Sequence, residues 1–216
     1  MEKSVLNRRA ASLLMASTML ASFGGVAAAQ QAGDSTLLPE ITVQGASYET
    51  EGTGSYTTDL ISVGEKDVRP LREIPQSTTV LTRERLEDGG YTSLDTALRK
   101  TPGIVVLNND NGRSSIFSRG FEFDTLYFNG LPAPLSSIYG TQPDMAIIDH
   151  VEILRGPAGL FGGAGEPAGA INMRLKQAPD SFAARFTGTV GSWQDKRGEV
   201  DVGGPLNEAG TVRGRF

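Results

Sequence analysis

The chain has no cysteine and one histidine, His150, among 216 residues. The missing cysteines exclude a disulfide framework and any thiolate metal site. The lone histidine leaves a Ser-His-Asp triad or a His-built metal centre nothing but His150 to use, and no serine stands in a G-x-S-x-G setting. Positive charge is also short, with 20 Lys and Arg against 25 Asp and Glu. Nucleic acid needs clustered Lys and Arg against its phosphates, so it is disfavoured as a partner. After residue 29 no apolar run is long enough for a transmembrane helix. If the chain meets a membrane, it does so as β-strands.

What is present begins with an export signal. Lys3, Arg8 and Arg9 make a basic start, Leu13 to Val26 an apolar stretch, and Ala27-Ala28-Ala29 a small-residue cleavage pattern before Gln30. Residues 1–29 are therefore expected to be a signal peptide. Removing them leaves 17 basic and 24 acidic residues, net −7.

Residues 30–64 carry one strand-capable stretch, Ile41 to Gln44, in which Ile41 and Val43 alternate with Thr42 and Gln44. It has no partner strand nearby in sequence. Residues 47–60 are rich in Gly, Ser, Thr and acid and read as a mobile linker. A strand on a tether suits addition to another protein's sheet edge, and an ordinary edge strand has the same pattern.

Residues 65–178 mix short strands with short helices, an α+β pattern with a small mixed sheet. Strands are expected at Ser77 to Leu81, Ile104 to Leu107, Ser115 to Ser118, Thr125 to Phe128, Val151 to Leu154 and Ala170 to Leu175. Asn129-Gly130 is a hairpin turn signal. Thr82 is placed to cap a helix over Arg83 to Glu87. Thr92 and Asp95 have capping-box spacing for a second, Thr92 to Lys100. Pro143 can start a third, through Ile148. Asn108 to Arg113 reads as a turn-rich loop.

Between Gly156 and Gly169 six of fourteen residues are glycine, with Leu160 and Phe161 among them and strands on both sides. This is a shaped loop and not a Gly/Ser linker. Gly163-x-Gly165-x-x-Ala168 formally matches a dinucleotide fingerprint. That mechanism needs a helix after the glycines, and here Pro167 and a strand follow. The NNDNG run fails as a calcium loop, since Gly112 at the sixth position puts Leu107 first and Ser118 twelfth. His150 reads as structural. No active site emerges. Arg119 and Arg155 are each followed by glycine, so a sharp turn projects each guanidinium. Inside a polar lumen both would be natural donors to wall carboxylates.

Residues 179–216 change character. Phe182, Ala184, Phe186, Gly188 and Val190 fall on one face, with Arg185, Thr187 and Thr189 on the other. The alternation continues through Val200 and Val202, then Val212 and Phe216, across turns at Gln194 to Arg197 and Asn207 to Gly210. Long alternating strands fit the start of a transmembrane β-barrel, and equally a soluble sheet with one wet face. The run stops mid-strand at Phe216, so further strands are expected beyond it.

The order of these motifs resembles the N-terminal part of a TonB-dependent outer-membrane receptor of the ferric-siderophore group. The resemblance is carried by LPEITVQGA, REIPQSTTVLTRERLED, LDTALRKTPGIVV, SRGFEFDTLYFNGLP, IDHVEILRGPAGLFGGAGEPAGAINMRLKQAP and GSWQDKRGEVDVGGPLNEAGTVRGRF. It departs from the family pattern at Asn129, where Asp is usual, in the MRLKQAP run, and in lacking most of a barrel of roughly 22 strands. It implies a TonB box and linker in residues 30–64, a plug domain in 65–178 and the first barrel strands in 179–216. No room is seen for the extra signalling domain of transducing members. Glu40, Ile41, Thr42 and Val43 would pair with TonB, energised from the inner membrane. Arg119, Pro134, Leu135 and Tyr139 would meet ligand, and Arg119 and Arg155 the barrel. The implied function is transport and not catalysis. Iron would arrive as ferric siderophore, with no protein cofactor or metal site, and the barrel would contact outer-membrane lipid. Haem, cobalamin or an oligosaccharide are alternative ligands on the same scaffold. A stand-alone periplasmic binding module is the alternative of a different class.

Overall fold

The computed structural model describes residues 48–63, 67–110, 112–133, 141–157 and 167–216. The expected signal peptide, Glu40 to Val43, Pro134, Leu135, Tyr139 and the middle of the glycine loop lie outside these residues.

In chain order the first strands are β1 (Leu60–Ile61), β2 (Arg69–Pro70) and β3 (Ser77–Leu81), followed by helices α1 (Arg83–Asp88) and α2 (Leu94–Arg99). A three-stranded sheet follows from β4 (Ile104–Asp110), β5 (Arg113–Ser118) and β6 (Phe121–Glu122). Then come β7 (Leu126–Phe128), β8 (Leu131–Pro132), β9 (Ile148–Arg155) and β10 (Gly169–Leu175). The last sheet is β11 (Ala183–Val190), β12 (Lys196–Pro205) and β13 (Arg213–Arg215), antiparallel throughout.

The centre of the domain is a five-stranded sheet in the order β3-β9-β10-β7-β8. All its pairs are antiparallel except β10 with β7. Asn129 (φ 48°) and Gly130 (φ 81°) close the β7–β8 hairpin with positive φ at both turn positions, as an Asn-Gly turn should. Strand β9 is buried along nearly its whole length because both faces of the sheet are covered. On one face Val151, Ile153, Ile171, Met173 and Leu126 pack with Leu86 of α1 and Leu94 and Leu98 of α2. On the other, Leu154, Ala170, Val80 and Tyr127 pack with Ile61, Val63 and Ile74.

That second face overturns the linker assignment for residues 47–60, and with it a domain start at residue 65. Residues 48–63 are part of the fold. Ile61 and Val63 are fully buried, each contributing about 2 kcal/mol of apolar burial. Thr50 and Ser62 are buried as well, through hydrogen bonds to β9. A polar composition misled because the sheet supplies buried acceptors for the polar groups.

Other expectations shift by smaller amounts. Thr82 caps α1 as expected, its side chain accepting from the Arg85 N–H. The capping residue of α2 is Ser93 with Thr96, not Thr92 with Asp95, because the Thr92 carbonyl is taken by the Met145 N–H. The expected Pro143 helix is one 3-10 turn, Met145–Ile147, with Asp144 as its cap, since β9 already begins at Ile148. The Asn108 to Arg113 loop is largely strand: β4 runs to Asp110 and β5 starts at Arg113.

The β11–β13 sheet has the expected two-faced character. Phe182, Phe186, Val190 and Val200 are all exposed on one face. Arg185, paired opposite Asp201, and Arg197, paired opposite Thr189, stand on the other.

Candidate functional site

Two polar constructions tie the parts together. The first is a buried clasp on β9. Alternation along Asp149, His150, Val151 and Glu152 would ordinarily place charge on only one side of a wet strand. Here Asp149, His150 and Glu152 are all almost fully buried. Glu152 Oε1 accepts from the Ser62 N–H (2.7 Å) and the Tyr48 hydroxyl (2.8 Å). Its Oε2 accepts from Ser62 Oγ (2.8 Å), the Val63 N–H (3.1 Å) and Asn172 Nδ2 (2.7 Å). Asp149 accepts from the N–H groups of Thr50 (2.9 Å) and Glu51 (2.7 Å) and from Thr50 Oγ1 (3.2 Å). His150 bridges the two acids, with Nδ1 2.6 Å from Asp149 and Nε2 3.6 Å from Glu152 Oε1. The second distance is ion-pair reach and too long for a hydrogen bond. Tyr48 closes the cluster edge-on to the His150 ring, with Arg174 over its face.

Burial opposes charge on all three groups, and their mutual contacts overcome it. His150 is raised, because Asp149 and Glu152 outweigh its desolvation. Glu152 is lowered despite burial by His150, Asn172 and the Ser62 N–H. Asp149 is lowered despite burial by His150 and the Thr50 and Glu51 N–H groups. Burial and the Glu152 charge push Tyr48 up, so its hydroxyl stays a donor.

The second construction is an ion-pair seam between the domain and the polar face of β11–β13. Arg185 holds Glu87 of α1 through two bonds (2.9 and 2.6 Å). Arg197 holds Asp144 through two bonds of 2.7 Å and also pairs with Glu199. Arg215 holds Glu51 (2.6 and 2.7 Å) and, on its other edge, Asp201 (2.8 and 2.6 Å). Lys176 stands between these two acids, 3.1 Å from Asp201 and 3.5 Å from Glu51. Beside the seam is a cleft of about 650 Å³, lined in part by Leu86, Tyr91, Ile147, Thr187 and Val200.

Comparison with known proteins puts this geometry in context. Residues 70–170 match the family described as TonB-dependent Receptor Plug Domain. A ferric-pyoverdine receptor of a Pseudomonas strain is 43% identical over 171 residues, 77% of this chain and 21% of that receptor. The crystal structure of the ferripyoverdine receptor of the Pseudomonas aeruginosa outer membrane, bound to ferripyoverdine, superposes with a TM-score of 0.73. It is 40% identical and covers 77% of this chain and 23% of its own. The alcaligin outer-membrane receptor of Bordetella pertussis gives a TM-score of 0.72 at 42% identity, covering 79% of this chain and 30% of its own.

The chain belongs to the TonB-dependent receptors.

It spans about a fifth of the length of the curated relatives it matches. Family membership places the receptor at the outer membrane. The α+β domain is its plug, and β11–β13 match the expected barrel strands. Of the residues singled out from sequence, Arg119 and Arg155 are brought together. Arg119 is exposed at φ 53°, and its guanidinium lies against Gly156, beside Arg155. Burial and then the Arg119 charge lower Arg155. Arg155 spends its donors inside the plug, on Ser77 Oγ (2.9 and 3.1 Å), the Pro102 carbonyl (3.1 Å) and the Thr78 carbonyl (3.3 Å).

Among the described residues the plug meets these strands with carboxylates (Glu51, Glu87, Asp144) facing arginines and with Lys176 facing Asp201. Neither the clasp acids nor the seam acids were singled out in the sequence. The available signals were an ionisable triplet inside an apolar strand, and arginines recurring on the polar face of the alternating strands.

The seam has a definite pH signature. Arg197 holds Asp144 below the usual carboxylate range, and Arg185 with Arg83 does the same for Glu87 against the pull of its burial. Carboxylates lowered in the folded state stabilise above the ordinary value, about pH 4. That stabilisation fades as pH falls through the depressed values. Thermal midpoints recorded from pH 7 to 2.5 are expected to fall less steeply in the double variant Glu87→Gln, Asp144→Asn than in the parent. Identical slopes would show that these pairs add nothing.

Proposed function

We propose that this chain is the plug-bearing part of an outer-membrane receptor that imports a ferric siderophore with energy delivered by TonB. The observation carrying this reading is the match of 77% of the chain, at about 40% identity, to ferripyoverdine receptors. In this reading Glu40, Ile41, Thr42 and Val43 add a strand to TonB, and the strain is passed into the plug. Arg119, Pro134, Leu135 and Tyr139 contribute ligand contacts, and the siderophore supplies every iron ligand. The barrel faces lipid with the side that carries Phe182, Phe186 and Val190, exposed here.

The test is uptake of radiolabelled iron by cells lacking their own receptors and expressing the full-length gene. Iron is offered as ferric pyoverdine, ferric alcaligin or haem. Siderophore-dependent uptake that collapses in a TonB-deficient strain is expected. Ile41→Pro should remove that uptake, and TonB crosslinking with it, because proline deletes a strand donor and restricts the backbone. Uptake of haem alone would point to a receptor for a different ligand. Crosslinking unchanged by Ile41→Pro would remove the box assignment.

A further inference from the structure

The way residues 48–63 are fastened differs from the rest of the domain. Strands elsewhere, and β1 of this segment against β2, are held by backbone carbonyls, which do not titrate. Here the N–H groups of Thr50 and Glu51 end on the Asp149 carboxylate, and those of Ser62 and Val63 end on Glu152. Tyr48, at the leading end of the segment, reaches Ser62 Oγ (2.6 Å) and Glu152 by its hydroxyl and touches His150 by its ring edge. Both acids lean on one imidazole. Among the described residues the other groups facing the cluster are Asn172 and Arg174, both on β10, and the Arg83 N–H, which reaches Thr50 Oγ1. The Glu51 side chain is directed away, to Arg215 and Lys176.

We infer that Asp149, His150 and Glu152 form a proton-sensitive clasp that holds residues 48–63 on the plug sheet and sets how readily that segment comes away. With the imidazole charged, one of the two buried negative charges is compensated. A neutral imidazole keeps an Nδ1–H for Asp149 but turns a lone pair toward Glu152 Oε1 at 3.6 Å. Raised in the fold, His150 lends its full support below its ordinary value near 6.5, and that support is lost as pH rises through the higher folded value. The two acids are lowered, so their support is lost only as pH falls through their depressed values. The clasp is thus tightest in mildly acidic conditions and slackens toward the alkaline side. The purpose of release rests on the proposed function: Val43 precedes Tyr48 by five positions, so a pull on the box reaches this clasp before the rest of the plug.

Hydrogen exchange followed by mass spectrometry on the full-length receptor tests this without siderophore or TonB. A receptor for some other ligand would leave the result unchanged. Protection at Thr50, Glu51, Ser62 and Val63, corrected for the intrinsic pH dependence of exchange, is expected to fall at least tenfold between pH 5.5 and 8.5. In His150→Gln that fall should vanish. In Glu152→Gln protection should be low at every pH, while amides of β4 and β5 stay as in the parent. If Glu152→Gln does not assemble, Asp149→Asn reads the same effect at Thr50 and Glu51. Flat protection in the parent would overturn the proposal. So would an unchanged slope in His150→Gln, or parallel loss across β4 and β5.

Discussion

Glu152→Ala is expected to lower the unfolding free energy of the chain by about 3–5 kcal/mol. The carboxylate has no exposed surface and accepts from five donors: the Ser62 and Val63 N–H groups, Ser62 Oγ, Tyr48 and Asn172. Truncation leaves the Ser62 and Val63 N–H groups buried without an acceptor, leaves Tyr48 and Asn172 only Ser62 Oγ, and leaves the His150 charge with one counter-ion instead of two. Glu152→Gln keeps the shape and one acceptor oxygen, so it should cost less than alanine. Urea unfolding followed by circular dichroism gives both numbers. A loss under about 1 kcal/mol for Glu152→Ala would mean that water takes over the acceptor role.

The other large effect is expected at Gly169. Its φ of +127° lies in a region that side chains rarely enter, and a Cβ there would stand 1.9 Å from the Leu154 carbonyl oxygen. That carbonyl belongs to β9, an interior strand with β10 on one side and β3 on the other. It cannot move aside without breaking two ladders. Gly169→Ala should therefore cost more than about 3 kcal/mol, the strain of a forbidden backbone plus displacement of the first rungs of β10. Gly130→Ala is the control: it also has positive φ (+81°) but open space around the added methyl. It should cost about 1 kcal/mol. Unfolding midpoints of the two variants separate a clash from simple φ strain. Equal losses would show that β9 yields.

The central sheet was readable because its strands obey local rules. Ser77–Leu81 is β-branched and the Asn-Gly turn marks the end of Leu126–Phe128; in the last sheet the two-residue period of Ala183–Val190 likewise survives to the structure. Residues 48–63 were not readable for a non-local reason. Their polar groups look solvent-seeking until Asp149 and Glu152 are placed opposite them, about 90 to 99 positions further along the chain. Alternation along Ile148–Arg155 was hidden likewise, since both faces of β9 are covered and charge and apolar side chains are buried together. Arg155 was legible as a projected guanidinium, but its acceptors on Ser77 and Pro102 lie 78 and 53 positions away. The seam needed the three-dimensional meeting of α1 with β11.

The three arginines of that seam sit on three different strands, and Arg197 lies four positions along β12 from Asp201, the residue paired opposite Arg185. At about 3.3 Å per residue that offset is roughly 13 Å. The three anchor points therefore form a triangle. A body pinned at two points on a surface can still roll about the line through them, and a third point off that line removes the last rotation. Glu51, the third anchor, belongs to the leading segment, and Arg215 keeps Asp201 when Glu51 departs. Lifting that segment leaves the plug held at Glu87, at Asp144 and through Lys176 on Asp201, without stranding a charge.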